Sequence, residues 1–496
     1  MKKLPFPFLV LLIISFSTSC NFSEKKGNEN TASQQATDST AKPNIIYILA
    51  DDLGYGDLSC YGQQKFNTPN IDSLAAQGML FTQHYSGSTV CAPSRSALMT
   101  GMHTGHTVVR GNKEIQPEGQ YPIPDGTYTL AEVLKKAGYA TGAFGKWGLG
   151  YPGSEGNPLN QGFDTFYGYN CQRMGHNYYP YHLWSNNDSI VLSENAMGDR
   201  GVYAPNLIHQ QTLAFIDENK DRPFFLYVPS IIPHAELAAP ETFMAEHRGE
   251  YPPEKAYDGV DAGPDFNLGP YRSQKETHAA FGAMIDLLDT QVGEIVRRID
   301  SLGLTDKTII VFTSDNGPHQ EGGADPEYFN SNGPLKGFKR DLYEGGIRVP
   351  MIVKWPGKIK PGSETGHISA FWDVMPTFSK IAGVEIPDNI DGISFLPTLL
   401  GEDEKQNDHE YLYWEFHEKG GRQAVRKGKW KAVKYQVFEK PEAPLELYNL
   451  EKDIGEANNV AASHPEVVAE MQKIIDTART PSEVFTFDQG TNLNVE

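Results

Sequence analysis

Carboxylate and carboxamide side chains follow two separate apolar runs of the chain. Asp51 and Asp52 come directly after the run NIIYILA. Asp315 and Asn316 follow the run TIIVFT after a single serine. These side chains offer only oxygen ligands, which suit a hard cation such as Ca²⁺ or Mg²⁺ and not zinc or copper. An Asp-Asp pair after a strand also occurs as a turn or a helix cap, so this pattern alone leaves both interpretations open.

A cysteine-containing segment at residues 91–101, CAPSRSALMTG, favours the cation site. Its pattern, Cys-x-Pro-Ser-Arg followed by Leu-x-Thr-Gly, resembles the signature by which formylglycine-generating enzymes recognise type I sulfatases. Further stretches resemble the same family, in the family's order: NIIYILADDLGYGDLSCYG at 44–62, GKWGLG at 145–150, PH at 233–234, TSDNG at 313–317, LKGFKRDLYEGGIRVP at 335–350, DGISFLP at 391–397 and LELYNLEKDIGEANNVA at 445–461. The likeness therefore extends over almost the whole chain after residue 43.

The resemblance implies a modified residue and a bound cation. Cys91 would be converted to formylglycine (3-oxoalanine) by a formylglycine-generating maturase. One Ca²⁺ ion is expected in preference to Mg²⁺, with these ligands: residue 91, Asp51, Asp52, Asp315 and Asn316. The chemistry of the ligands agrees, because a cysteine thiolate is a soft ligand and is out of place among hard carboxylate oxygens. The alternative for Cys91 is a small buried hydrophobic residue.

The resemblance also implies a mechanism of sulfate ester hydrolysis. One hydroxyl of the hydrated aldehyde at residue 91 attacks sulfur, and the second later expels sulfate and restores the aldehyde. Arg95 would steady the hydrate. Lys146 and Lys339 would neutralise the sulfate oxygens, and His234 would protonate the departing alcohol.

The chain departs from the family pattern at Gly148. Many relatives have GKWHLG, with a histidine thought to take the proton that releases sulfate, where this chain has GKWGLG. The base for the release step therefore stays open. The possibilities are His103, His106, His176 and a metal-bound aspartate.

An aromatic segment at residues 166–184, FYGYNCQRMGHNYYPYHLW, is expected to border the mouth of the pocket. Ring faces cover the apolar side of a sugar, although a packed tyrosine-rich loop is an equal alternative. This segment and GKWGLG are similar to bacterial sulfatases that act on galactose or N-acetylgalactosamine. The resemblance implies an exo-acting enzyme for 3-O or 6-O sulfates, with position 3 preferred. His176, Asn177 and Arg348 are the expected substrate contacts, and His176 would contact the axial hydroxyl of a galacto sugar.

Unbroken apolar runs predict the strands of a largely parallel sheet. They lie at residues 44–50, 139–144, 223–228 and 308–313, and a repeat of three and four residues predicts a helix at 284–302. This alternation indicates an α/β fold with a large, mostly parallel or mixed sheet flanked by helices. The polar clusters should then meet at the carboxyl ends of the strands. The resemblance implies the alkaline-phosphatase-like version of this architecture.

The pattern of apolar and polar residues changes after residue 400. A polar linker, GEDEKQND, precedes an alternating segment at 411–437 and a helical pattern at 465–478. We therefore expect a catalytic domain at 44–400 and a smaller C-terminal α+β domain at 401–496.

The first 43 residues resemble an export segment. Two lysines, the apolar stretch 6–14 and the small residues before Cys20 are typical of a signal peptide, and the end resembles a bacterial lipoprotein cleavage site. We expect a signal peptide at 1–20, lipidation at Cys20, with ordinary cleavage nearby as the alternative, and a disordered tether at 21–43. The protein would then lie in the periplasm or at the cell surface, held to the membrane only by its lipid. A Cys60–Cys171 disulfide is possible, but the sequence does not place these cysteines together.

The composition limits the partners of the protein. With 43 lysines and arginines against 63 aspartates and glutamates, the formal charge is −20, which argues against nucleic acid and anionic membrane surfaces. A sulfated glycan or a small sulfate ester remains as the expected substrate. Two rival interpretations stay open: a phosphatase or phosphodiesterase of the same superfamily, and a non-catalytic glycan-binding lipoprotein.

Overall fold

The computed structural model describes residues 42–261 and 269–487. The predicted signal peptide, the lipidation site at Cys20 and nearly all of the predicted tether lie outside these ranges. Among the described helices, none combines the length and the apolar composition that a membrane span requires.

The strands fall into a large sheet and a small one. In chain order they are β1 (Asn44–Ala50), β2 (Met79–Tyr85), β3 (Ala140–Lys146), β4 (Thr165–Tyr169), β5 (His182–Ser185), β6 (Asp188–Val191), β7 (Phe224–Pro229), β8 (Thr308–Ser314), β9 (Arg348–Lys354), β10 (Ser363–Thr365), β11 (Ser369–Ala370), β12 (Leu412–Phe416), β13 (Arg422–Lys427), β14 (Trp430–Tyr435) and β15 (Glu446–Asn449). The four strands predicted from apolar runs are β1, β3, β7 and β8, and all four are confirmed.

Helices cover the large sheet and connect its strands. They are α1 (Pro69–Ala76), α2 (Cys91–Thr100), α3 (Leu130–Lys136), α4 (Ala204–Asn219), α5 (Glu241–His247), α6 (Thr277–Ser301), α7 (Pro326–Phe329), α8 (Glu344–Ile347), α9 (Val374–Ala382), α10 (Leu396–Leu399) and α11 (Pro465–Thr477). The helix predicted at 284–302 is the second part of α6, which begins earlier than the apolar repeat. The helix predicted at 465–478 is α11.

The large sheet is mixed, with a parallel centre. Its strand order in the described chain is β10-β2-β9-β8-β1-β7-β3-β4-β5-β6, and β11 also pairs with β2. β8, β1, β7, β3 and β4 run parallel to one another, whereas β9, β5 and β6 pair antiparallel with their neighbours. This arrangement confirms the predicted α/β class.

The central strands are apolar throughout because the sheet is covered on both faces. In β1, Ile46 and Ile48 pack into one hydrophobic core, which also contains Leu288 of α6. The alternate residues Ile45 and Tyr47 pack into a second core. Successive side chains of a strand point to opposite faces, so an unbroken apolar run serves both cores.

The small sheet has the order β12-β13-β14-β15 and is antiparallel. Trp414 packs in a core with Tyr85 and Trp372 of the larger part. In another core, Leu447 packs with Met471 of α11. This sheet and α11 form the smaller α+β unit that the sequence predicts. β15 was not anticipated, because ELYN is too short to show an alternating pattern.

Candidate active site

The predicted cation ligands meet where two neighbouring strands end. β1 and β8 pair with Ala50 opposite Ser314, so their carboxyl ends are level. The N–H of Asp315 donates to the carbonyl of Ala50 at 3.0 Å, and the N–H of Asp52 donates to Oδ1 of Asp315 at 3.1 Å. Nδ2 of Asn316 donates to Oδ1 of Asp52 at 2.6 Å. The register of the sheet therefore assembles the cluster.

Helix α2 places Cys91 and Arg95 over this edge of the sheet. The helix begins at Cys91 and ends before Gly101, which has a left-handed φ of 69°. Residues four apart share one face of a helix, so both side chains face the carboxylates. Sγ of Cys91 lies 3.3 Å from Oδ1 of Asp51. Nη2 of Arg95 lies 3.2 Å from Oδ2 of Asp51 and 2.8 Å from Oδ2 of Asp315.

Two lysines supply the remaining positive charge. Lys146, the last residue of β3, forms an ion pair with Asp51, and its Nζ lies 3.5 Å from Sγ of Cys91. Nζ of Lys339 lies 2.8 Å from Oδ2 of Asp52. Three aspartates thus face three cations, all of them buried. Buried charges are tolerated only when they are paired, so the cluster is internally neutral.

His234 is the middle ring of three stacked histidines. Its centroid is 4.8 Å from that of His176 and 5.7 Å from that of His319. Nδ1 of His234 hydrogen-bonds to the carbonyl of Ala235, so this nitrogen carries the proton of the neutral ring. Nε2 accepts a hydrogen bond from Nζ of Lys339 at 3.1 Å. Burial and the Lys339 ammonium hold the pKa of His234 well below its usual value.

The electrostatics of the cluster make an unmodified thiol inert. Burial alone would raise the pKa of Asp51, but Lys146 and Arg95 outweigh it and lower that pKa. Burial and the charge of Asp51 raise the pKa of Asp315 to about 6. Burial, followed by both carboxylates, raises the pKa of the Cys91 thiol well above its usual value. Because the thiolate is the reactive form, residue 91 needs another functional group to act here.

The ligand atoms fit a hard divalent cation. Oδ1 of Asn316 is buried and has no hydrogen-bond partner among the described residues. One ligand atom from each of Asp51, Asp52, Cys91 and His234 lies within 4.8 Å of the others. Buried polar atoms are normally satisfied, and a cation that takes oxygen ligands would satisfy this one.

A cavity of about 440 Å³ adjoins the cluster. Of the predicted residues, Cys91, His176, His234 and Lys339 line it. The remaining lining residues are Asn112, Glu114, Gln116, Gln120, Gln172, Arg173, Tyr271 and Arg340. Its volume is within the range of small-molecule sites, about 300–1,000 Å³.

Two of the three expected substrate contacts lie elsewhere. Asn177 is buried and does not line the cavity, and its Oδ1 accepts from the N–H of Tyr179 at 3.0 Å. Nε of Arg348 donates to the carbonyl of Thr82 at 2.8 Å, and its Nη1 lies 3.3 Å from Glu344. Both side chains make contacts within the protein, and the structure does not bring them to this cavity. His176 does line the cavity.

The structure does not bring His103 and His106, two of the possible bases for the release step, to the cavity. They lie beyond the carboxyl end of α2, whereas Cys91 lies at its beginning, and a helix rises about 1.5 Å per residue. Their rings stack at 4.4 Å, and Nδ1 of His106 lies 2.9 Å from Oδ1 of Asp391. Neither ring lines the cavity.

The segment at 166–184 borders the cavity through Gln172, Arg173 and His176, but three of its tyrosines pack inside the protein. Tyr169, Tyr178 and Tyr179 are buried and do not line the cavity. The hydroxyl of Tyr178 donates to the carbonyl of His234 at 2.8 Å, so this tyrosine positions the histidine. The aromatic face of the cavity comes from Tyr271, which lies outside the segment.

Several lining or supporting residues were missed in the sequence. Arg340 directly follows Lys339, and His319 follows the DNG motif after a proline, so proximity to a motif was a usable signal for both. Gln120 and Tyr271 lie in irregular segments far from any motif, and periodicity gives no information there. All three described cysteines are free thiols, so no Cys60–Cys171 disulfide is formed.

This constellation agrees with one family of enzymes. The sulfatase family model matches residues 43–384. The chain belongs to the sulfatase family. Residues 337–480 also match the model of the C-terminal region of N-sulphoglucosamine sulphohydrolase.

Known sulfatases resemble the chain over most of its length. N-acetylgalactosamine-6-O-sulfatase of Bacteroides thetaiotaomicron is 33% identical, and the alignment covers 94% of this chain and 97% of that one. Human arylsulfatase A is 33% identical, with 87% of each chain covered. The solved structure of Ps i-CgsB in complex with k-i-k-neocarrahexaose has a TM-score of 0.74 at 29% identity, covering 91% of this chain and 96% of that one. This sulfatase is therefore a sulfuric ester hydrolase with the predicted fold.

Proposed function

We propose that this sulfatase uses a formylglycine at residue 91 to remove sulfate from galactose or N-acetylgalactosamine units of glycans. One observation carries the proposal. Sγ of Cys91 lies 3.3 Å from Oδ1 of Asp51 and 3.5 Å from Nζ of Lys146, and Cys91 lines the cavity. A group at this position faces both a proton acceptor and a cation, as a nucleophile toward an anionic ester requires.

Hydrated formylglycine would carry two hydroxyls where the structure has Sγ. One hydroxyl oxygen attacks sulfur and loses its proton, while the bond between sulfur and the ester oxygen breaks and the alcohol departs. The second hydroxyl then loses its proton, and the carbon–oxygen bond to sulfate breaks, which restores the aldehyde. A hard cation held by the aspartates and Asn316 would supply positive charge beside these oxygens.

The remaining groups hold the sulfate and move protons. Lys146 at the end of β3 and Lys339 in the loop before α8 neutralise the sulfate oxygens in a buried site. We assign protonation of the departing oxygen to the His234–Lys339 pair: the proton comes from the Lys339 ammonium, which donates to Nε2 of the neutral ring, and Nε2 passes it to the oxygen. For the release step, two acceptors remain from the original possibilities: Asp51, which lies 3.3 Å from Sγ, and His176, which lines the cavity.

His176 supports the choice of a galacto sugar. Its Nδ1 donates to the carbonyl of Gly269 at 3.1 Å, which leaves Nε2 available for a substrate hydroxyl. We assign this contact to the axial hydroxyl. The name of the bacterial relative, N-acetylgalactosamine-6-O-sulfatase, favours sulfate position 6 over position 3.

The same proposal includes how the enzyme is matured and located. A formylglycine-generating enzyme would modify Cys91, one Ca²⁺ would occupy the oxygen cluster, and the exported protein would be anchored by a lipid on Cys20. Incorporation of labelled palmitate tests the anchor. Cys20→Ala should abolish labelling, the control Cys60→Ala should retain it, and equal labelling of both would contradict the anchor.

A substrate panel tests the proposed reaction. Purified enzyme from a host that makes formylglycine should hydrolyse 6-sulfated N-acetylgalactosamine faster than its 3-sulfated isomer or 6-sulfated N-acetylglucosamine. It should hydrolyse an aryl sulfate in preference to the matching aryl phosphate. Preference for the phosphate would refute the sulfatase chemistry, and equal rates on the three sugars would refute only the sugar assignment.

A further inference from the structure

Gly148, two residues after Lys146, has no side chain, and Gln172 occupies the space that a side chain there would fill. β3 and β4 pair in parallel with Lys146 opposite Tyr169, and the pairing continues past the strands, since the N–H of Gly148 donates to the carbonyl of Asn170 at 3.0 Å. Gly148 has a left-handed φ of 78°. A Cβ atom there would lie 2.9 Å from Cγ and 3.0 Å from Nε2 of Gln172. The position of Gln172 therefore depends on the glycine.

The carboxamide of Gln172 is an unsatisfied group at the cavity. Its side chain lines the cavity, the residue is only 5% exposed, and its Nε2 has no hydrogen-bond partner among the described residues. The backbone N–H of Gln172 donates to Oε1 of Gln120 at 3.3 Å, which fixes the residue without using its side chain. Buried polar groups are rarely left without a partner, so this carboxamide is free for a ligand.

Three further carboxamide residues line the cavity that Gln172 lines. Asn112, Gln116 and Gln120 line the same cavity, and Asn112 is held in place because its Oδ1 accepts from the N–H of Ala92 at 3.1 Å. A carboxamide offers both donors and an acceptor. That combination matches a neutral hydroxyl, which also donates and accepts.

The charged lining residues outside the catalytic cluster are already paired. Nη1 of Arg173 lies 3.4 Å from Oε2 of Glu114, and Arg340 forms an ion pair with Glu321. Each of these arginines thus has a carboxylate partner within the protein, whereas the Nε2 of Gln172 has no partner among the described residues.

We propose that Gln172, in the space left by Gly148, binds a neutral hydroxyl of the sugar that carries the sulfate. This inference rests on the proposed sulfatase function and adds a specificity-determining residue to it. The contact is additional to the one assigned to His176, which also lines the cavity. Gln172 and His176 would bind different hydroxyls of the same sugar.

Monodeoxy analogues of the sulfated sugar test the contact. In the wild type, removal of the hydroxyl bound by Gln172 should lower kcat/KM by roughly 5- to 150-fold, the effect of leaving a buried polar group unpaired. Gln172→Met keeps the length of the side chain and removes its hydrogen-bonding atoms. In this variant the penalty for that one analogue should fall below about threefold, while the penalties for the other analogues persist.

Two further variants make the result interpretable. Gln172→Asn shortens the side chain by one methylene and moves the carboxamide away from the sugar. It should also reduce the loss of kcat/KM for that one deoxy analogue, which provides a second test if the methionine variant folds poorly. Gln210→Met, on the exposed face of α4, is the matched control and should keep the wild-type pattern. An identical pattern of deoxy penalties in the wild type and both Gln172 variants would overturn the inference. Absence of sulfate ester hydrolysis by the wild type would instead overturn the proposed function together with it.

Discussion

Sγ of Cys91 lies 3.3 Å from Oδ1 of Asp51, and both atoms are buried. An unmodified thiol gains little from this position, since burial and the two nearest carboxylates raise its pKa. A hydroxyl in the same place has a carboxylate at hydrogen-bond distance. The relationship therefore explains why conversion of Cys91 would turn an inert residue into a nucleophile.

Removal of the cation should abolish turnover. A strong chelator should eliminate aryl sulfate hydrolysis. Ca²⁺ should restore it better than Zn²⁺, because the expected protein ligands are oxygens, and better than Mg²⁺, which keeps several waters and binds few protein ligands. Asn316→Ala, which deletes the unsatisfied Oδ1, should weaken calcium binding in a titration followed by calorimetry. Full activity in enzyme shown by elemental analysis to be metal-free would contradict the assignment.

Loss of Lys339 should impair the chemical step. Lys339→Ala removes the ammonium that pairs with Asp52 and donates to His234, and loss of such a group costs about 10²- to 10³-fold in kcat. Lys358→Ala changes an exposed lysine and serves as the control. If kcat of the Lys339 variant stays within a few-fold of the wild type, this lysine does not stabilise charge in the reaction.

Substitution of His176 should reduce discrimination between sugars. His176→Ala should lower kcat/KM on the 6-sulfated galacto sugar by roughly 5- to 150-fold relative to the gluco epimer, because a hydrogen bond to the axial hydroxyl is lost. Steady-state kinetics on the matched pair measure the ratio. Equal losses on both sugars would assign His176 to the release step instead of to recognition.

The ionised form of Glu415 should stabilise the folded protein, and this stabilisation should be lost in acid. Its buried carboxylate lies 3.0 Å from Nε2 of His417, 2.8 Å from Nε of Arg479 and 3.1 Å from Nη1 of Arg110. Burial opposes ionisation, but these three partners outweigh it and lower the pKa of Glu415 to about 2. Because this pKa is below the unfolded value of about 4.3, the contribution is complete above that pH and decreases as the pH falls toward 2.

Urea unfolding measures this contribution. Glu415→Gln should lower the free energy of unfolding at pH 7 by about 3–5 kcal/mol, the cost of breaking a buried ion pair. At pH 3 the difference from the wild type should be smaller. The exposed control Glu404→Gln should change little at either pH, and a constant difference for Glu415→Gln at both values would refute the assigned pKa.

The sequence predicts those elements whose pattern lies within one short stretch of the chain. The strand before Asp51 is an unbroken apolar run, and the run before Asp315 is another, so the sheet and its cation cluster could be predicted together. Cys91 and Arg95 lie in one short motif, and their spacing already places them on one helix face. In each case the chemistry follows directly from residues that are neighbours in the chain.

The expected residues that do not reach the cavity are those whose positions depend on distant partners. Arg348 was an expected substrate contact, but its side chain contacts Glu344 and the carbonyl of Thr82. Gln172 was not singled out, since its importance depends on the missing side chain of Gly148 and on the fold of an irregular segment. Contacts between residues far apart in the chain cannot be predicted from composition or periodicity.

A peptide mass map around residue 91, taken together with turnover, tests the central claim most directly. In enzyme matured in a host with a formylglycine-generating enzyme, the peptide that contains residue 91 should have a lower mass than the unmodified cysteine peptide. Across preparations, the apparent kcat should rise in proportion to the modified fraction. Cys91→Ser should lose at least about 10³-fold in kcat, because a serine sulfate ester has no second hydroxyl to expel sulfate, whereas Cys60→Ser should remain active. An unmodified Cys91 peptide in fully active enzyme would contradict the account.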